Sequence, residues 1–211
     1  MKLLTIGDSF TYGEELSDLT KSWPNLLAVE LGYSLTNMGM PGTGNTSMVR
    51  NAVSYALEYD LIIIAWSHFA RTEFADTYGI YDTWPGSNAQ WVSTDTLSDR
   101  QHIVNYVNRH ASDDYSYNQH LINIILVQSY LKNNCKDFIM LDAISNAHES
   151  KKSFELEKQI DTKSYLGWKK ETMQDWTKNC SKGSQGHFLE EGHQIVARRI
   201  NEHIRNISRH T

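Results

Sequence analysis

Leu61-Ile62-Ile63-Ile64-Ala65 is an apolar run with no polar interruption, and its middle is β-branched. A strand with one wet face alternates apolar and polar side chains. An unbroken run marks a strand covered on both faces, as in a parallel sheet between two helical layers. Working outward, Lys2–Gly7 and Ser34–Met38 are shorter upstream candidates, and Asp137–Leu141 is the next downstream. Helical patterns separate them. Over Ser47–Glu58, Met48, Ala52 and Ala56 form one row and Val49, Val53 and Leu57 the next. Ser22 is the candidate cap of a helix running through Trp23 and Pro24 to Leu31, where Gly32 stops it. Tyr115–Asn133 turns Leu121, Ile124, Ile125 and Gln128 inward, and Glu190–Ile207 closes the chain through Val196, Ile200 and Ile204. Asp142–Gly186 is polar, with short helices expected near Ser150–Ile160 and Gly167–Lys178. Strands alternating with helices predict an α/β fold: a three-layer α/β/α sandwich on a mostly parallel sheet of about five strands.

The 211 residues suit one domain, 1–211, with insertions at about 66–111 and 142–186. Twenty basic against 25 acidic side chains leave a formal net charge of −5, which gives no global attraction to nucleic acid or to an anionic membrane. The apolar runs are too short to span a bilayer, and Met1-Lys2-Leu3-Leu4-Thr5-Ile6-Gly7 develops no secretory apolar core. The expected location is therefore cytoplasmic or within an assembly. Cys135 and Cys180 are expected to be reduced thiols. The unusual count is nine histidines. Those at 102, 110, 120, 148, 203 and 210 lack ligand spacing, so no metal site is expected.

In parallel α/β sheets, ligands bind at the carboxyl ends of the strands. Asp8-Ser9, Gly42 to Asn45, and Ser67-His68 all follow strand ends, and the loop carrying His187 reaches the same rim. Ser9 is the candidate nucleophile and His187 the candidate base. The Ser9 and Gly42 amides, with His68 or Ser67, are candidate oxyanion donors. Asp8 is read as shaping its turn. Asn45 or Ser47 is a candidate helix cap, and His193 is read as packed. Arg71 and Glu73 read as an ion pair pinning the insertion, with substrate contact as the alternative. The aromatic residues Trp66, Phe69, Phe74, Tyr78, Tyr81, Trp84 and Trp91 read equally as a carbohydrate platform or as the core of a lid or subunit contact.

As a set these residues resemble the SGNH/GDSL hydrolase superfamily. Gly7-Asp8-Ser9-Phe10-Thr11-Tyr12-Gly13-Glu14 is similar to its first block, which holds the nucleophile. Asn37-Met38-Gly39-Met40-Pro41-Gly42-Thr43-Gly44-Asn45 is similar to the second, in which Gly42 matches the oxyanion donor. Gly186-His187 followed by Gly192-His193 is similar to the last, in which the first histidine is the base. The resemblance implies a flavodoxin-like fold and an esterase, lipase, thioesterase or carbohydrate deacetylase without metal or other cofactor. Two positions depart from the pattern. His68 stands where the third block has an oxyanion Asn, and Ser184 stands where an Asp usually orients the base. Asp142 and Asp175 are the candidate replacements for that acid. The expected function is hydrolysis of a small-molecule or carbohydrate ester through a Ser–His dyad or triad. The alternative is an inactive structural or binding component of a viral particle or other assembly, and an oligomer is compatible with either.

Overall fold

Every residue of the central strand β3 (Leu61–Trp66) is buried, as its unbroken apolar run requires. Residues 1–76, 79–83, 105–106, 109, 112–134, 136–148 and 153–208 are described by the computed structural model. β3 lies between β1 (Lys2–Gly7) and β6 (Asp137–Asp142); β2 (Ser34–Gly39) flanks β1, and the two-residue β7 (Tyr165–Leu166) flanks β6. The order is thus β2-β1-β3-β6-β7, with every pairing parallel. A separate antiparallel hairpin, β4 (Thr72–Asp76) with β5 (Gly79–Thr83), rises from the stretch after β3.

The helices are α1 (Ser9–Tyr12), α2 (Trp23–Leu31), α3 (Asn45–Tyr55), α4 (Asp113–Asn133), α5 (Phe154–Glu157), α6 (Met173–Trp176) and α7 (Glu190–Ser208). Strand pleating divides β3 between two cores. Ile62, Ile64 and Trp66 pack with Met48 and Ala52 of α3 and Leu121, Ile124 and Val127 of α4. Leu61, Ile63 and Ala65 pack with Trp23 and Leu27 of α2 and Val196 and Ile200 of α7. Two helical layers therefore cover one sheet, which is the expected α/β/α sandwich. Each Ile buried in this way contributes roughly 1.5–3 kcal/mol of transfer free energy.

Several local expectations are corrected. Ser22 does sit at the N-terminus of α2, yet its side chain caps no helix amide. His193 Nδ1 accepts the Trp23 N–H instead, at 3.1 Å. Gly44, not Asn45 or Ser47, holds the cap position of α3. Residues 56–58 tighten into a 3-10 turn beyond that helix. The expected helices in the second insertion are single turns, and β7 was not foreseen there. A two-residue strand leaves no readable period. Of the aromatic set, Trp66 and Phe69 are 0% and 9% exposed and belong to the main core, not to a platform. Tyr78, Trp84, Trp91, His102, His110, Cys135 and His210 lie outside the described residues, as do the side chains of Phe74 and Tyr81. Among the described residues, no helix is long and apolar enough to cross a membrane.

Candidate active site

The sharp exit from β1 creates the first half of the site. Asp8 caps the single turn α1, its Oδ1 accepting the Phe10 N–H at 3.1 Å. Ser9 is thereby placed at the first position of the turn. The second half arrives from the loop before α7. His187 Nε2 lies 2.8 Å from Ser9 Oγ, and the Phe10 ring packs against the imidazole at 4.9 Å between centroids.

The acid on the other imidazole nitrogen comes from an unforeseen place. Glu15 Oε2 lies 3.0 Å from His187 Nδ1 and also accepts the His187 backbone N–H at 3.2 Å. Its Oε1 accepts from the Gln185 N–H at 2.8 Å and from Ser184 Oγ at 2.9 Å. Partial burial works against ionisation, but the hydrogen bonds from Gln185, His187 and Ser184 prevail and hold the carboxyl down at about 2. An ionised Glu15 only accepts hydrogen bonds, so it fixes the neutral ring with its proton on Nδ1. Nε2 is then the acceptor for the Ser9 hydroxyl.

Ser184 is thus not a vacancy in a triad. It donates to the carboxylate that stands against His187 Nδ1, where an Asp would instead place a second negative charge against Glu15. Gly183 provides the room: a Cβ there would lie 2.4 Å from Glu15 Cδ. The sequence offered only small residues at 183–184 and an acid just beyond the first block, with nothing to link them. Asp142 and Asp175 are not the orienting acid. Asp142 accepts from Asn146 Nδ2 at 2.7 Å and Tyr165 OH at 2.8 Å, and it lines a separate cavity with Tyr117 and His120. Asp175 closes a capping box with Thr172 on α6.

Among the candidate oxyanion donors, Gly42 takes φ +79°, a left-handed conformation that suits glycine. Neither the Ser9 nor the Gly42 N–H has a hydrogen-bond acceptor among the described residues. His68 Nδ1 accepts the Ala70 N–H at 3.1 Å, which leaves its proton on Nε2, and the ring stacks on Phe69 at 4.4 Å. Burial, and secondarily Arg71, lowers the His68 pKa and favours the neutral ring. Ser67 does not serve as the alternative donor. It is fully buried and its hydroxyl donates to Asp8 Oδ2 at 2.9 Å.

The supporting residues form a buried frame. Asn45 brackets Ser67: Oδ1 accepts its N–H at 2.9 Å and Nδ2 donates to its carbonyl at 3.1 Å. Asn146, which sequence reasoning missed, donates to the same carbonyl at 3.0 Å and accepts the Phe69 N–H at 2.7 Å. Arg71 and Glu73 do not form the expected pair. Glu73 takes Arg50, at 2.6 and 2.9 Å, and Ser47 at 2.7 Å. Arg71 turns back to the Thr43 carbonyl at 2.9 Å and to Asp8 Oδ2 at 3.5 Å. The physical reason is need: burial raises the Asp8 pKa, and the Arg71 charge opposes that rise. Asp8 therefore acts here as a cap and anchor. His193 is buried against Phe188, with ring centroids 4.6 Å apart.

A family model described as "Family of unknown function (DUF6071)" matches residues 12–211. No curated protein matches the sequence. Solved structures do share the fold. One is a putative lipolytic protein of the G-D-S-L family from Desulfitobacterium hafniense (TM-score 0.51, 15% identity, covering 96% of this chain and 98% of that one). Another is the psychrotrophic esterase EstA from Pseudoalteromonas sp. (TM-score 0.55, 11% identity, 99% and 98% covered). A third is a variant of Axe2, an acetyl-xylooligosaccharide esterase from Geobacillus Stearmophilus (TM-score 0.54, 16% identity, 96% and 93% covered). At these identities the likeness establishes the α/β fold.

Proposed function

The chain belongs to a family of unknown function (DUF6071), and from the geometry of its site we propose that it is a divergent SGNH-type serine hydrolase of carboxylic esters. The observation that carries this reading is the continuous chain from Ser9 Oγ through both nitrogens of His187 to Glu15. In it, Ser9 attacks the ester carbonyl while His187 Nε2 takes the hydroxyl proton. Glu15 holds the ring in the productive tautomer and faces the positive charge as it forms. The Ser9 and Gly42 amides, joined by His68 Nε2–H, receive the oxyanion. Collapse expels the alcohol, which leaves with the proton from Nε2. Water, deprotonated by the same nitrogen, then cleaves the acyl-Ser9 ester and frees the acid and the serine.

A short acyl group, such as acetyl, on a polar or carbohydrate alcohol is the proposed substrate class. The polar residues around the rim favour it, and one protein of the same fold bears the name acetyl-xylooligosaccharide esterase. The test is hydrolysis of 4-nitrophenyl acetate by wild type, Ser9→Ala and His187→Ala. Wild type is expected to turn over, and each variant to lose about 10³-fold or more in kcat. Folded wild-type protein without turnover, or a Ser9→Ala variant as active as wild type, overturns the proposal.

A further inference from the structure

Among the described residues, two polar groups face His187 Nε2. Ser9 Oγ is one, at 2.8 Å; Glu14 Oε2 is the other, at 3.6 Å. The Glu14 side chain is 25% exposed, so the carboxylate is neither sunk in the core nor free in solvent. The two adjacent acids differ in what they do. Glu15 accepts four hydrogen bonds from the 184–187 loop. The Glu14 carboxylate accepts no hydrogen bond among the described residues, and its recorded ion-pair partner is His187 itself. Arg71, the cation on the oxyanion side, is directed at Asp8 and the Thr43 carbonyl.

Nε2 is the atom that must deliver a proton to the departing alcohol. That alcohol's oxygen therefore comes within about 3 Å of Nε2 in the reacting complex. A carboxylate 3.6 Å from the same nitrogen lies beside the first atoms of the alcohol portion. We propose that Glu14 is a specificity-determining residue that selects esters whose alcohol carries a hydroxyl or cationic group next to the ester oxygen. It excludes alcohols with an anionic group there. This deepens the hydrolase reading and rests on it. The physical basis is direct. A hydroxyl or ammonium group in that place gives the carboxylate the donor or counter-charge it lacks. A second carboxylate or a phosphate there meets like-charge repulsion in a partly desolvated site. The alcohol oxygen is the substituent of the reacting carbon that must meet Nε2, so the selection acts on the alcohol and not on the acid.

The test uses three acetate esters of similar size: the cationic choline ester, its uncharged isostere 3,3-dimethylbutyl acetate, and the anionic 3-acetoxypropanoate. Wild type should rank them cationic, neutral, anionic by kcat/KM. Glu14→Gln keeps size and removes charge, so the cationic-to-anionic ratio should fall roughly tenfold or more. About 1 M salt should narrow the wild-type ratio by screening. Any common loss from weaker support of the imidazolium is read on the neutral ester and divides out. An unchanged ratio in Glu14→Gln, with all three esters affected equally, overturns the proposal while leaving the hydrolase reading intact. Folded wild type that hydrolyses none of the three overturns both.

Discussion

At the scale of single residues, the proposed nucleophile and the proposed acid come from one short segment. Ser9 and Glu15 flank α1 and its exit, and His187 is brought between them from the far end of the chain. Replacing Glu15 by Gln leaves an acceptor of the same size without charge and removes the certainty of the tautomer. We expect kcat to fall by about 10²–10⁴, with the melting temperature close to wild type; unchanged kcat would contradict the role. The sign of the pH effect follows from the depressed carboxyl. What Glu15 adds to stability is present above its ordinary value of 4.5 and is lost as pH falls through about 2. Loss of activity between pH 7 and 5 therefore belongs to another group. Ser9 and His187 were legible because each follows a turn at a recognisable place in the chain. Glu15 was not, since an acid beside another acid normally reads as solvated surface. Only the return of residues 183–187 over α1 gives it a partner.

At the scale of elements, strand ends carry the site, and the loop after β3 is the one most heavily held. Asn45 satisfies both the N–H and the carbonyl of Ser67, and Asn146 holds the carbonyl again and the next turn. Asn45→Ala leaves the buried Ser67 N–H without its partner and the Ser67 carbonyl held by Asn146 alone. It should cost about 1–3 kcal/mol in urea unfolding and slow turnover through displacement of His68. A loss below half a kcal/mol would show that this clamp is not structural. β3 and α7 were readable because burial is continuous along the one and repeats along the other. β7 was unreadable at two residues. The cap position of α3 was misread because Asn45 turns its side chain toward Ser67 rather than along its own helix.

At the scale of the whole molecule, the buried histidines set the response to acid. Burial holds His120 down at about 3 and His193 at about 4, against an ordinary 6.5. As pH falls below 6.5, the unfolded chain takes up two protons that the folded chain refuses. Asp142 acts in the opposite sense: burial lifts it to about 6 from 3.8, so the folded state takes up a proton first. His68 and His203 are lowered in the same sense as the two histidines, and Asp8 and Asp82 are raised in the same sense as Asp142, so the histidines lead by four to three and the balance is a loss of stability. The melting temperature should fall between pH 6.5 and 4.5, and a constant or rising value would contradict this balance. The same buried layers hold the rim on which the chemistry depends. Intact-mass and peptide mass spectrometry after exposure to a fluorophosphonate ester tests that chemistry most directly. The predicted result is one phosphonyl group, added with loss of fluoride, on Ser9 and absent from Ser9→Ala. Folded protein that stays unmodified, or that carries the group elsewhere with Ser9 untouched, would contradict it.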